Sequence, residues 1–319
     1  MLNYEFKTYI SEGTEHYGYA TWIRRDEPEC YMKHDPFPSS LLSFLYLDID
    51  AVAPLFQKVA DDLWSLTLHH EQRYADEARA VLRQLGEIHI YLFHVSLDWT
   101  WRVDRAQLLG DYTENLLQRM ALIHMAENLK TIQAQIKDLL ANVLDADSEK
   151  KPVMQKMADY YARAGERAFR FRPQPLSFEL LNDGTFAEVL CPESLYDLID
   201  YHVRECVKRE VKMRVCKNCG RYFAVTGHGG TEYCDRPFDS KGRTCKEIGA
   251  AAVWTKKRSE DSVFTAYRRE YKKRFAWIKA GKIEPDAFYA WGETARGKMT
   301  DCEAGRISEE EFSQWLKQS

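Results

Sequence analysis

Apolar positions recur at helical spacing through much of the first half of the chain. Leu55, Val59, Leu63 and Leu66 share one face, as do Leu116, Leu117, Met120, Ile123 and His124, so residues from about 52 to 168 read as a series of helices. The run EIHIYLFHVSLDWTW is apolar nearly all round, which predicts a buried helix, with a strand as the alternative. Residues 1–50 show no such period. Their aromatics and the breaker-rich DEPECYMKHDPFPSS predict an extended arm or short strands, then a turn. DADSEKKP, near 145–152, reads as a helix-to-helix connection. At 176–190 the period changes: LSFELL and FAEVL flank Asn182, Asp183 and Gly184, a hairpin signal. Pro192 can open the next helix, whose face carries Leu195, Leu198, Ile199, His202, Val203, Cys206 and Val207.

The last segment repeats itself. GKIEPDAFYAW from Gly281 matches GRISEEEFSQW from Gly305. Each shared position has a local physical role. The glycine ends a helix in a left-handed conformation. Ile283 and Ile307 precede the next cap, and Phe288 and Phe312 follow where a hydrophobic staple closes. Pro285 suits a first helical position, Ser308 and Glu311 form a capping-box pattern, and Trp291 and Trp315 lie one turn beyond each Phe. Two successive helix–turn–helix joints are expected.

Between hairpin and repeat lies a four-cysteine cluster: Cys216, Cys219, Cys234 and Cys245, in CKNCGRYF, EYC and TC. A C-x2-C pair places two sulfurs on one tight knuckle, and a second pair completes a tetrahedral thiolate site. Four cysteines leave no open position, so the expectation is one structural Zn2+ per chain. His228 is an alternative ligand. Lys217, Arg221, Arg243 and Lys246 are near enough in sequence to moderate the site's negative charge, and Tyr222, Phe223 and Tyr233 to cap it. Cys30, Cys191, Cys206 and Cys302 read as buried or incidental thiols. Gly227, Gly229 and Gly230 lack the G-x4-G-K-[ST] frame of a phosphate loop.

Composition narrows the class. At 319 residues, 45% hydrophobic and 29% charged, the chain has the make-up of a globular protein of about two domains. No apolar run is long enough to cross a membrane, and no basic start with an apolar stretch marks a signal peptide, so a cytoplasmic location is expected. Reduced thiols there favour metal over disulfides. Charge is uneven. Residues 1–200 carry 20 basic against 32 acidic side chains, whereas residues 201–280 carry 20 against 9. In 256–279, Phe264, Tyr267, Tyr271, Phe275 and Ile278 fall on one helical face, beside a basic flank. Lys256, Lys257, Arg258, Arg268, Arg269, Lys272 and Lys273 are the candidate contacts to DNA or RNA phosphates. Packing of this segment on the acidic body is the alternative.

Two resemblances follow from these motifs. The stretch from about Val215 to Trp254 looks like the treble-clef-like zinc ribbons of bacterial proteins and broadly resembles the CGNR zinc-finger group, although the CGNR tetrapeptide is absent. More closely, CxxCGRYF, YC, a later C with a small-residue helix, and the G-[KR]-I-x4-F-x2-W repeat resemble an uncharacterised bacterial family of unknown function. That resemblance covers roughly the last 140 residues and implies zinc at the four cysteines, without an established activity.

No catalytic motif appears. His69-His70-Glu71 is not HExxH, His89 and His94 are misaligned on a helix, and Asp98 and Asp104 stand singly. No motif identifies a small-molecule substrate. The expected fold is mainly α with a small β-hairpin and a treble-clef-like, four-cysteine zinc ribbon. Three segments are expected: 1–172 a mostly helical N-terminal domain, 173–255 the hairpin, helix and ribbon, and 256–319 the basic aromatic helix and two helix–turn–helix repeats. The leading functional expectation is a zinc-stabilised protein that binds nucleic acid, or regulates, through its basic C-terminal half. A protein-interaction scaffold is the alternative. An enzyme site in the helical domain, in a pocket formed by His89, His94, Asp98 or His124, is the third.

Overall fold

The structure, a computed structural model, describes residues 3–22, 29–148, 150–181, 184–227, 229–249 and 262–319. Asn182, Asp183, His228, Lys256, Lys257 and Arg258 lie outside the described residues. The fold is mainly α, and the chain forms two compact units: Met1–Arg214 with Arg221–Gly230, and Val215–Gly220 with Thr231–Ser319.

The first unit begins with strands β1 (Asn3–Ser11), β2 (Thr14–Trp22) and β3 (Glu29–Pro36), paired antiparallel in sequence. This is more regular than the arm or short strands expected. Aromatics on both faces hid the two-residue period: Phe6, Thr8 and Ile10 are buried on one side of β1 and Tyr9 on the other. The predicted hairpin forms as β4 (Leu176–Leu180) and β5 (Phe186–Leu190). It joins the same sheet, in the order β3-β2-β1-β5-β4, with Thr8 opposite Leu190.

Helices fill the intervening chain: α1 (Ser39–Phe44), α2 (Ile49–His69), α3 (Gln72–Ile88), α4 (Ile90–Leu109), α5 (Tyr112–Leu116), α6 (Met120–Ile123), α7 (Met125–Leu139) and α8 (Val153–Ala164). The all-apolar run is indeed a buried helix, α4, once it leaves α3. The break falls at His89, whose extended backbone ends α3 and whose side chain accepts the Tyr91 N–H to cap α4. The face expected at 116–124 does not hold. A tighter 3-10 turn at Leu117–Arg119 rotates the helical phase, leaving Leu116 and Leu122 buried but Met120 and His124 exposed. Helix α9 (Leu195–Lys208) opens after Ser194, not at Pro192, because a capping box links Ser194 and Asp197. Its apolar face buries Leu198, Ile199, His202, Val203 and Cys206 as expected. Strands β6 (Met213–Val215) and β7 (Tyr222–Ala224) pair on either side of the first cysteine pair.

Among the described residues, the second unit holds the cysteine cluster and the helices α10 (Ser262–Lys279), α11 (Pro285–Glu303) and α12 (Glu309–Gln318). Both expected joints are present. Gly281 and Gly305 sit at φ 65° and 72°. Each is followed by the paired bonds of a Schellman motif: Lys282 to Trp277 and Gly281 to Ile278, then Arg306 to Asp301 and Gly305 to Cys302. The Ser308–Glu311 capping box forms with both bonds made. Val263, Phe312 and Leu316 make the small core, with Tyr267, Trp291, Ile307 and Trp315 packed around it. Ser308→Ala should therefore cost this bundle about 1 kcal/mol in denaturant unfolding, the usual worth of an N-cap. Among the described residues no helix is long and apolar enough to cross a membrane.

Candidate metal centre

The four cysteine sulfurs lie within 4.8 Å of one another. The first pair comes from a knuckle closed by the Gly220 N–H on the Cys216 carbonyl, at 2.9 Å. The second pair is brought in by a tight hairpin, Phe238 to Arg243, which returns the Cys245 N–H to the Arg236 carbonyl and the Lys246 N–H to that of Cys234. Cys245 then opens a helical turn at residues 245–249, as expected from sequence. Thr244 and Glu247 cap that turn reciprocally. Close packing holds it: a Cβ on Gly249 would run into the ring of Tyr233. Gly249→Ala should therefore loosen the second ligand pair.

The donor set suits a soft, tetrahedral ion. The sulfurs of Cys219 and Cys234 are 3.7 Å apart, close to the roughly 3.8 Å edge that bonds of about 2.3 Å give around zinc. Donors point at the sulfurs. The Cys234 N–H reaches Cys216 Sγ at 3.4 Å, Asn218 Nδ2 reaches Cys245 Sγ at 3.4 Å, and Arg236 Nη1 lies 3.9 Å from both Cys219 and Cys234 sulfurs. Burial raises the Cys216 thiol, but backbone N–H donors from Cys219, Cys234 and Asn218 outweigh it and bring it to about 7. The cation at the sulfurs is thus Arg236, which the sequence reading missed. Lys217, Arg243 and Lys246 instead pair with Glu232, Asp239 and Asp235. The four cysteines can hold a metal ion, and with every donor a thiolate no coordination position is left for a substrate.

On α10, Arg268, Arg269, Lys272 and Lys273 are exposed. Lys273 pairs with Glu270, and no ion pair to the other three occurs among the described residues. The aromatic stripe packs in part on α11, with Tyr267 against Trp291 and Tyr271 and Phe275 against buried Phe288. Val263 and Glu270 are buried, while Phe264, Tyr267 and Tyr271 are half-buried and Phe275 is exposed. A helical wheel finds a stripe but not the neighbour that covers it.

Among the enzyme candidates, His94, Asp98 and Asp104 lie on α4, with His94 and Asp98 one turn apart. His69 and His70 are exposed at the end of α2. His94 is buried with Nε2 at 3.3 Å from the Pro192 carbonyl. Asp98 is held by Tyr4 and Arg102, and Asp104 by Arg79. His124 is exposed. His89 lines a pocket of about 500 Å3 with Lys33, Arg83 and Glu87.

One buried network was invisible in sequence. Tyr17 Oη lies 2.9 Å from Glu15 Oε2 and 3.0 Å from His202 Nε2. His202 Nδ1 lies 2.8 Å from the Leu198 carbonyl, which only accepts, so Nδ1 carries the hydrogen. Burial lowers His202 to about 4, so it is neutral and Nε2 accepts. Tyr17 has one proton for two acceptors: it donates to Glu15 Oε2 while Glu15 is charged, and can turn to His202 Nε2 when Glu15 carries a proton of its own.

Comparison with known proteins fits the resemblance read from the motifs. Residues 179–319 match the model described as a family of unknown function, DUF6076. That span contains all four cysteines and both copies of the repeat. No curated protein and no solved structure matches the chain.

Proposed function

We propose that this is a zinc-stabilised nucleic-acid-binding protein, in which a closed four-thiolate zinc site orders residues 216–220 and 231–249 and α10 supplies the contact surface. Zinc is favoured over other ions by four clustered thiolates, one pair of them 3.7 Å apart as on a tetrahedral edge, and by the lack of an open position. Four thiolates with one Zn2+ carry a charge of −2, which Arg236 and the helical turn opening at Cys245 moderate.

The observation that carries nucleic-acid binding is the exposed row Arg268, Arg269, Lys272 and Lys273, only one of which is neutralised by an acidic neighbour among the described residues. Such a row faces water at little cost and gains by releasing counterions from a phosphate backbone. The measurement is affinity for duplex and single-stranded DNA and RNA across a salt series. If four cations contact phosphates, log K should fall against log salt with a slope of about −3 to −4. Replacing one, as in Lys272→Gln, should weaken binding uniformly across sequences and reduce that slope by about 1. Absence of binding at low salt would refute the reading and leave a protein-interaction role as the stronger one.

A further inference from the structure

We propose that the groove between α10 and α11 binds single-stranded nucleic acid, with unpaired bases stacked on its tyrosines and phosphates on its arginines. The proposal rests on the nucleic-acid reading above and adds the strand class and the site.

The groove measures about 360 Å3 and lies wholly within the second unit. Phe264, Tyr267 and Tyr271 form the α10 wall, and Tyr289 stands on the α11 side over buried Phe288. Tyr289 is 61% exposed. Arg268 on one wall and Arg296 on the other are both exposed lining residues. Rings therefore line the interior, and cations stand on both rims. Arg269, Lys272 and Lys273 continue the positive charge along α10.

The floor supports the same reading. Gly292 lies within α11, where glycine costs about 1 kcal/mol relative to alanine. Packing does not require it, since a Cβ there would meet nothing within 4 Å. What its missing side chain does is keep the groove open. The aromatic wall is half-covered by α11, with Tyr267 against Trp291 and Tyr271 against buried Phe288, and its remaining ring surface faces the groove.

Aromatic faces beside cations match the two surfaces of a single strand, bases and backbone. In a duplex the base faces are already stacked on each other, so rings gain nothing there. An acidic peptide would satisfy the arginines but leave the rings without planar partners.

The test uses the full chain with labelled oligothymidine, a duplex of equal length, and poly-glutamate as competitor. Tyr289→Ala, at an exposed position, should weaken oligothymidine binding about fivefold or more while leaving the salt slope unchanged, because the ring carries no charge. Gly292→Leu should do the same by filling the groove, with circular dichroism checking that helicity is kept. Arg268→Gln should lower the slope by about 0.7. Unchanged affinity in Tyr289→Ala, a preference for duplex, or equal displacement by poly-glutamate would each overturn the groove assignment. In the first two cases the broader nucleic-acid reading survives. Failure of both oligonucleotides to bind would sink the two together.

Discussion

Purified protein should contain one zinc ion per chain, and Cys216→Ser should remove it. The expectation follows from geometry and from energy. Four sulfurs within 4.8 Å are held with N–H donors on Cys216 and Cys245 sulfurs and with Arg236 beside Cys219 and Cys234. Among the described residues, the ligand-bearing stretches are otherwise held mainly by surface ion pairs, Lys217–Glu232, Arg243–Asp239 and Lys246–Asp235, and by Tyr233 against Gly249. Structural zinc is worth on the order of 10 kcal/mol of folding free energy in small sites, comparable with the whole stability of many domains. The loss should be local. Helices α10–α12 have their own core at Val263, Phe312 and Leu316 and their own caps, so they should persist. Hydrogen exchange should therefore show protection lost across 216–220 and 231–249 and largely kept across 262–319 and in β7, which belongs to the first unit. Cys302→Ser is the control, since Cys302 stands among the helices and outside the four-sulfur group. Full metal content in Cys216→Ser, or unaltered exchange without metal, would refute the structural role.

The parts of this molecule that could be read from sequence are those whose physics is local. The knuckle of Cys216 and Cys219 and the cap at Ser308 each depend on a few neighbouring residues, and each appears where its pattern stood. The same holds for the hairpin β4–β5. What the sequence did not show depends on distant partners. Thr8 meets Leu190 to complete the five-stranded sheet, and nothing near either residue marks the pairing. His202 was recognisable as part of a buried helical face, but its bond to Tyr17 was not. On α10 the stripe and the basic flank were both legible, whereas the neighbours that half-cover the stripe, Phe288 and Trp291 on α11, were not.

Glu15→Gln should become steadily more stable relative to the parent protein as pH rises from 4.5 to 8, by about 3 kcal/mol in all. Burial penalises the charged form of Glu15 and pushes it up to about 7 from an ordinary 4.5, with bonds from Ser40 and Tyr17 acting the other way. A folded value above the unfolded one means that the stabilising contribution is complete below about 4.5 and is lost as pH rises through about 7. Gln keeps the shape and hydrogen-bonding capacity but does not titrate, so it escapes that loss. The buried histidines act in the opposite sense. Burial lowers His202 and His89 to about 4 and lowers His94 as well. Their contribution is present above the ordinary 6.5 and is lost as pH falls through the folded value. Both proteins carry that acid-side cost, so subtracting their unfolding free energies removes it and isolates Glu15. Urea unfolding of both proteins at pH 4.5, 6 and 8 supplies the difference. A flat difference would place a charged carboxylate at Glu15 throughout. Tyr17 would then have two acceptors, Glu15 and His202 Nε2, for its one proton, unless His202 were itself protonated against its burial.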